Sequence, residues 1–213
     1  MISIYWHCLG LTGNDEGFVN GALQELVQHL REDPIRLPAN IKALNDEPKV
    51  AKEINAILNR LCEQSYTFKD AASHIQEVLL DSLLDRVKSS NLGFFIPSLL
   101  VYCHRDSAIA RSALREDGAG PWGAECCGFA AVYESGNKFV IWHEALHLLG
   151  AHDCYEEDDP YRRKPDCNCN SCTMQYVPTE DTVGKWSLCD KNVKKLKDLA
   201  EEARKVRRAK KNS

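Results

Sequence analysis

The sequence predicts an α+β fold: a mixed twisted sheet with helices in an upper lobe, a motif-bearing helix, then a small cysteine-rich lower lobe closed by a C-terminal helix. Three observations predict it. Before position 150, segments rich in β-branched and aromatic residues stand beside segments whose apolar residues are spaced for one helical face, so both strands and helices are expected there. The stretch "HEALHLLGAHDCY" at 143–155 ends a helical pattern on a glycine. Five of the ten cysteines, Cys154, Cys167, Cys169, Cys172 and Cys189, crowd the last third of the chain. With 213 residues the chain suits one domain, here divided into an upper lobe, 1–150, and a lower lobe, 151–213.

"ISIYWHCLGL" is β-branched and aromatic enough for a first strand. A helix follows from about Asn14 and Asp15, with Val19, Leu23, Leu26, Val27 and Leu30 on one face. "DPIRLPANIKALNDEP" reads as a connector to a second helix bearing Val50, Ile54, Ile57, Leu58 and Leu61. A third helix opens at Thr67 and Asp70, which have capping-box spacing. "GFFIPSLLVYC" and "CCGFAAVYE" read as strands with a loop between them. Asn137 suits the N-cap of the motif helix, and Gly150 is the residue best able to take the left-handed conformation that stops it.

Composition excludes some classes. The longest apolar run, "LGFFIPSLLVYC", is far short of the roughly 20 residues of a membrane helix and contains a proline. The N-terminus does not read as a secretory signal, so a cytoplasmic location is expected. In that compartment thiols stay reduced, which makes metal a better account of ten cysteines than disulfides. Cys8, Cys62, Cys103, Cys126 and Cys127 are scattered and read as small buried apolar residues. Residues 191–213 hold ten Lys/Arg and three acids, a balance of +7 that leaves the rest at −11 of the total −4. Val193, Leu196, Leu199, Ala203 and Val206 are spaced for one helical face, so the basic tail reads as a docked terminal helix. Nucleic-acid contact is the competing reading of that tail.

His143 and His147, four apart on one helix, put two imidazoles on one face a turn apart, which is the geometry two rings need to share zinc. Glu144 is displaced by about 100° around the axis, so it misses the metal and reaches a water beside it, a general base's position. Beyond Gly150 the chain turns and returns a third ligand. Spacing selects Asp153 over its neighbour His152, although imidazole is the commoner zinc ligand. A helix with accidental histidines is the bland alternative, and the downstream glycine and acid weigh against it.

HEALHLLGAHD resembles the metzincin zinc-peptidase motif HExxHxxGxxH or HExxHxxGxxD, and "SCTMQY" at 171–176 resembles the Met-turn that metzincins place beneath the zinc ligands, with Met174 as its methionine. Cys154 directly after the third ligand and Cys172 two before the methionine resemble the archaemetzincin pattern, whose extra cysteines bind a second, structural zinc. The chain departs from that pattern in having Asp153 rather than histidine, and Cys189 alone where a CxxC pair would stand. The likeness covers about residues 123–205, and the helices between 48 and 90 exceed a minimal metzincin upper lobe and read as an elaboration.

The resemblance implies a zinc-dependent endopeptidase acting on protein or peptide, with a zinc-activated water and Glu144 as base. It implies one catalytic Zn2+ on His143, His147 and Asp153. It also implies a second, structural Zn2+ on Cys154, Cys172 and Cys189, with Cys169 or Cys167 as the fourth thiol. Disulfides between the same elements are the alternative. Tyr176, two after the methionine, matches a tyrosine that some metzincins swing toward the oxyanion, or else it walls the specificity pocket. "GPWGAECCGFAAVY" resembles the place of the edge strand that aligns extended substrate, with a buried strand as the competing reading. Two other classes compete: a metal-dependent endoribonuclease of the rRNA-maturation type, which has HxxxHLxGxxH without the glutamate or the Met-turn, and a non-catalytic zinc module, which needs no base.

Overall fold

The computed structural model describes residues 2–10, 13–87, 98–104, 107–113, 123–126, 128–133, 137–155, 164–165, 167–169, 172–175 and 186–211. In order these are β1 (Ile2–Leu9), α1 (Gly13–Arg31), β2 (Ala39–Ala43), a 3-10 turn (Leu44–Asp46), α2 (Pro48–Cys62), α3 (Phe68–Val87) and β3 (Ser98–Cys103). Then come α4 (Ala108–Ala113), β4 (Gly123–Cys126), β5 (Phe129–Tyr133), α5 (Lys138–His147) and α6 (Asp190–Lys211). The five strands form one sheet in the order β2-β1-β3-β5-β4, with four strands parallel and β4 antiparallel at the edge. The architecture is α+β, as the mixture of strand-like and helical segments predicts.

Two elements escaped the sequence reading. The expected connector holds β2, whose five residues pair with β1 in parallel. The flanking prolines mask so short a strand, and tertiary pairing overrides the local turn signal. The loop expected between the two later strands contains α4, and of "CCGFAAVYE" Cys126 ends β4 while Phe129–Tyr133 form β5.

The strands alternate sides with period two. Ile2, Ile4, Leu100, Tyr102 and Val132 face α1, α5 and α6, while Tyr5, Leu99, Val101, Phe129 and Tyr133 face α2, α3 and α4. Every residue of β3 and β5 is buried, as expected for a mostly parallel sheet covered on both faces. α2 and α3 cover the sheet's second face. Ile54, Leu58 and Leu61 of α2 and Ile75 and Leu79 of α3 are fully buried against the sheet's second face, each contributing roughly 1.5–3 kcal/mol. The Thr67–Asp70 capping box forms in both directions: Thr67 N–H donates to Asp70 Oδ2 at 3.1 Å, and Asp70 N–H donates to Thr67 Oγ1 at 3.0 Å.

Cys103 is buried, and Cys8 and Cys62 are half-buried; the side chains of Cys126 and Cys127 lie outside the described residues. On α6, Asn192, Leu196, Ala200 and Ala203 face the core, so the helix is docked. The cluster that starts on β1 continues through Met174 and Cys172 to Leu196 and Ala200. Among the described residues, no helix is long and apolar enough to cross a membrane.

Candidate metal centres

α5 begins and ends where the sequence says it should. Asn137 is extended, and its side chain accepts from Phe139 N–H at 2.9 Å. At the other end Ala151 N–H bonds Leu146 O and Gly150 N–H bonds His147 O, at 3.0 and 2.8 Å. Gly150 has φ +83°. That is a Schellman stop, in which the left-handed residue costs glycine little. The helix is held on α1 by Trp142, whose Nε1–H donates to Ala22 O at 2.7 Å, and by a Lys138–Glu25 ion pair at 2.8 Å.

His143 and His147 present their Nε2 atoms to each other at 3.1 Å, and Asp153 Oδ1 lies 3.2 Å from both. Each ring's Nδ1 meets a backbone carbonyl, Thr173 O for His143 and Ala151 O for His147, both at 3.1 Å. A carbonyl only accepts, so each Nδ1 carries the proton and each neutral ring turns a lone pair inward at Nε2. Asp153 Oδ1 is buried without a hydrogen-bond donor. Three lone pairs thus converge, an arrangement that repels itself unless positive charge lies among them. Ligands about 2.0–2.1 Å from a tetrahedral zinc lie about 3.3 Å apart, close to the observed spacings, so these residues fit the ion. The electrostatics agree. Burial disfavours the charged His147 ring, yet the Asp153 carboxylate outweighs it and raises the ring's pKa to about 9, so the place favours positive charge and a proton on Nε2 competes with a metal ion for it. Burial likewise opposes the charged form of Asp153, but the two imidazoles hold its carboxyl well below the usual range.

Glu144 is buried on the same helix, 7% exposed, and burial raises its pKa above the ordinary glutamate value against the pull of His143 and His147. His152 is exposed, so the structure brings Asp153 and not His152 to the two histidines. Tyr176 lies outside the described residues.

A second group sits one residue away. The Sγ atoms of Cys154, Cys167, Cys172 and Cys189 all lie within 4.8 Å of one another and are buried. Cys154 is 3.4 Å from Cys172 and 3.5 Å from Cys189; sulfurs around a tetrahedral zinc at about 2.3 Å lie about 3.8 Å apart. These thiols are free and not disulfide-bonded. Of the two candidates for the fourth member, Cys167 lies in the group, and the Cys169 thiol contacts Ser187 Oγ at 2.9 Å. Cys189 N–H donates to Cys172 Sγ at 3.3 Å. The Cys154 thiol and backbone N–H groups of Met174 and Cys189 lower the Cys172 pKa, while the same contact with Cys172, together with burial, raises that of Cys154. Backbone donors aimed at sulfur favour thiolate.

The two groups share a frame. Cys172–Gln175 is a tight turn closed by Gln175 N–H to Cys172 O at 3.1 Å, and Met174 in it is fully buried. That turn offers Cys172 to one group and the Thr173 carbonyl to His143 of the other. Cys154 N–H bonds Met174 O at 2.8 Å, and Thr173 N–H bonds Ser187 O at 2.8 Å. The sequence reading missed the Thr173 and Ala151 carbonyls, which side-chain identity cannot announce, and Asn192. The signal for Asn192 was present: it continues the buried stripe of Leu196 and Ala200 at four-residue steps.

Comparison of the chain with family models, with curated proteins and with solved structures finds no match.

Proposed function

We propose that this protein is a metzincin-like zinc peptidase with a catalytic centre on His143, His147 and Asp153 and a structural zinc on the four thiols. The observation that carries the reading is the convergence of three lone pairs with the buried carboxyl of Glu144 beside them. Zinc held by the three ligands would supply a Lewis acid for the scissile carbonyl and acidify water. Glu144 takes a proton from the attacking water and returns it to the leaving amine. Thr173 O and Ala151 O hold the two imidazoles in the ligating tautomer. Among the described residues β4 lies at the sheet edge and packs against α5, where an extended peptide would add as a strand.

A staple alone has no use for Glu144, which weighs against a non-catalytic module. The test is Glu144→Gln: hydrolysis of a peptide library should fall by at least about 100-fold, with zinc content unchanged. The native protein should leave single-stranded RNA intact. Substantial peptidase activity in the variant, or chelator-sensitive RNA cleavage lost in it, overturns the reading.

A further inference from the structure

We infer that Asn192 is a positioning residue that holds Asp153 in place as the third ligand of the histidine centre. The inference rests on the metal-centre reading above. Asp153 lies in neither helix nor strand, so no ladder or helical bond sets its direction. Its neighbours are set instead. Asn192, on the first turn of α6 and fully buried, accepts His152 N–H on Oδ1 at 2.9 Å and donates through Nδ2 to His152 O at 2.8 Å. The same Nδ2 lies 3.6 Å from Cys154 Sγ. Both backbone partners have fixed polarity, so the amide can point only one way.

The amide therefore clips the residue before Asp153 as a neighbouring strand would, and its remaining N–H reaches the sulfur of the residue after it. A terminal helix is thereby coupled to the aim of one carboxylate. Buried amides are costly unless bonded, and every other described position on this stripe, Leu196, Ala200 and Ala203, is apolar. An asparagine there is explained by the peptide group it meets. Outer partners that orient a ligand typically govern metal affinity by 10- to 100-fold.

The test compares Asn192→Ala with Asn192→Leu in the full chain, reduced and loaded with cobalt. Thiolate-to-cobalt charge-transfer absorption reports the four-cysteine group, and competition with a chromophoric chelator gives the affinity of the second equivalent. Leucine refills the stripe without hydrogen bonds, so a merely structural role would be restored by it. The positioning role predicts that second-site affinity falls roughly 10- to 100-fold in both variants while the thiolate bands persist. Native affinity in Asn192→Leu overturns the inference. If neither variant folds, Asn192→Asp, which keeps the volume and the bond from His152 N–H, should still bind more weakly, and unchanged affinity there overturns it. A native protein that takes up only the thiolate-bound equivalent overturns the metal-centre reading itself, which separates the two failures.

Discussion

The layered sheet and the segment from Ala151 to Cys189 are held by different physics. On the sheet's second face, Leu58, Ile54, Leu61, Phe129 and Tyr133 are sealed by neighbours of the same apolar kind, and stability scales with area removed from water. Between Ala151 and Cys189 no described residue lies in a helix or an extended strand. What binds that segment is a set of directed contacts: four thiols, two imidazole–carbonyl bonds, a buried asparagine and a buried methionine. A region short of periodic apolar positions can still be ordered if its few polar contacts are each satisfied and mutually dependent. The cost is that such a region fails all at once.

The largest expected effect comes from metal removal, since a structural zinc contributes on the order of 10 kcal/mol of apparent folding free energy in small metallo-domains. Chelation under reducing conditions should open the 151–189 segment to protease, mapped by mass spectrometry, while far-ultraviolet circular dichroism retains most of the helical signal. Cys172→Ser should do the same without chelator. Equal protection in both states would erase the contrast between the regions.

The converse test attacks the layered half. Leu58→Ala, fully buried between α2 and the sheet, should cost about 2–5 kcal/mol in denaturant melts and leave the stoichiometry of bound zinc in the folded fraction unchanged. A loss of zinc would show that the two regions do not stand apart. At the join between them, Gly150→Ala places a Cβ 3.2 Å from Lys195 Cε at φ +83°. About 1–2 kcal/mol of destabilisation is expected, together with weaker zinc binding at the histidine centre, because that turn aims Asp153.

The smallest effects sharpen the layered side. Thr67→Ala removes one half of the α3 capping box and should lower Tm by about 2–4 °C. His29 stacks on Trp186 with centroids 4.9 Å apart, and burial lowers its pKa from 6.5 despite Glu32 and Glu25, with Lys138 acting in the same direction as burial. Below about pH 6.5 the unfolded chain binds this proton first, so stability falls as pH drops toward the folded value. Tryptophan fluorescence should report a small change over that window, absent in His29→Gln.

Much of the candidate site was legible because its logic is local. The i, i+4 spacing of His143 and His147, the Asn137 cap and the Gly150 stop each act within about one helical turn, so residue order alone specifies them. The apolar faces of α1 and α2 were legible for the same reason. The choice of Asp153 over His152 was also readable, since one position along a tight return reverses the direction of a side chain.

What only the tertiary structure decided depends on segments with no period. Cys167 and Cys169 are two apart, and in extended backbone residues i and i+2 point to the same side, so spacing could not choose between them. The return of the chain toward Cys154 and Ser187 did. β2 exists because β1 offers it a ladder, and the second face of the sheet requires α2 and α3 to cover it. Asn192 gained its role when α6 docked beside His152. Sequence by itself determined the ligands that sit on one helix, because four residues bring them together; the Thr173 carbonyl, the fourth thiol and the contact that Asn192 makes were decided by packing, because His143 and Thr173 are 30 residues apart and His152 and Asn192 are 40 apart.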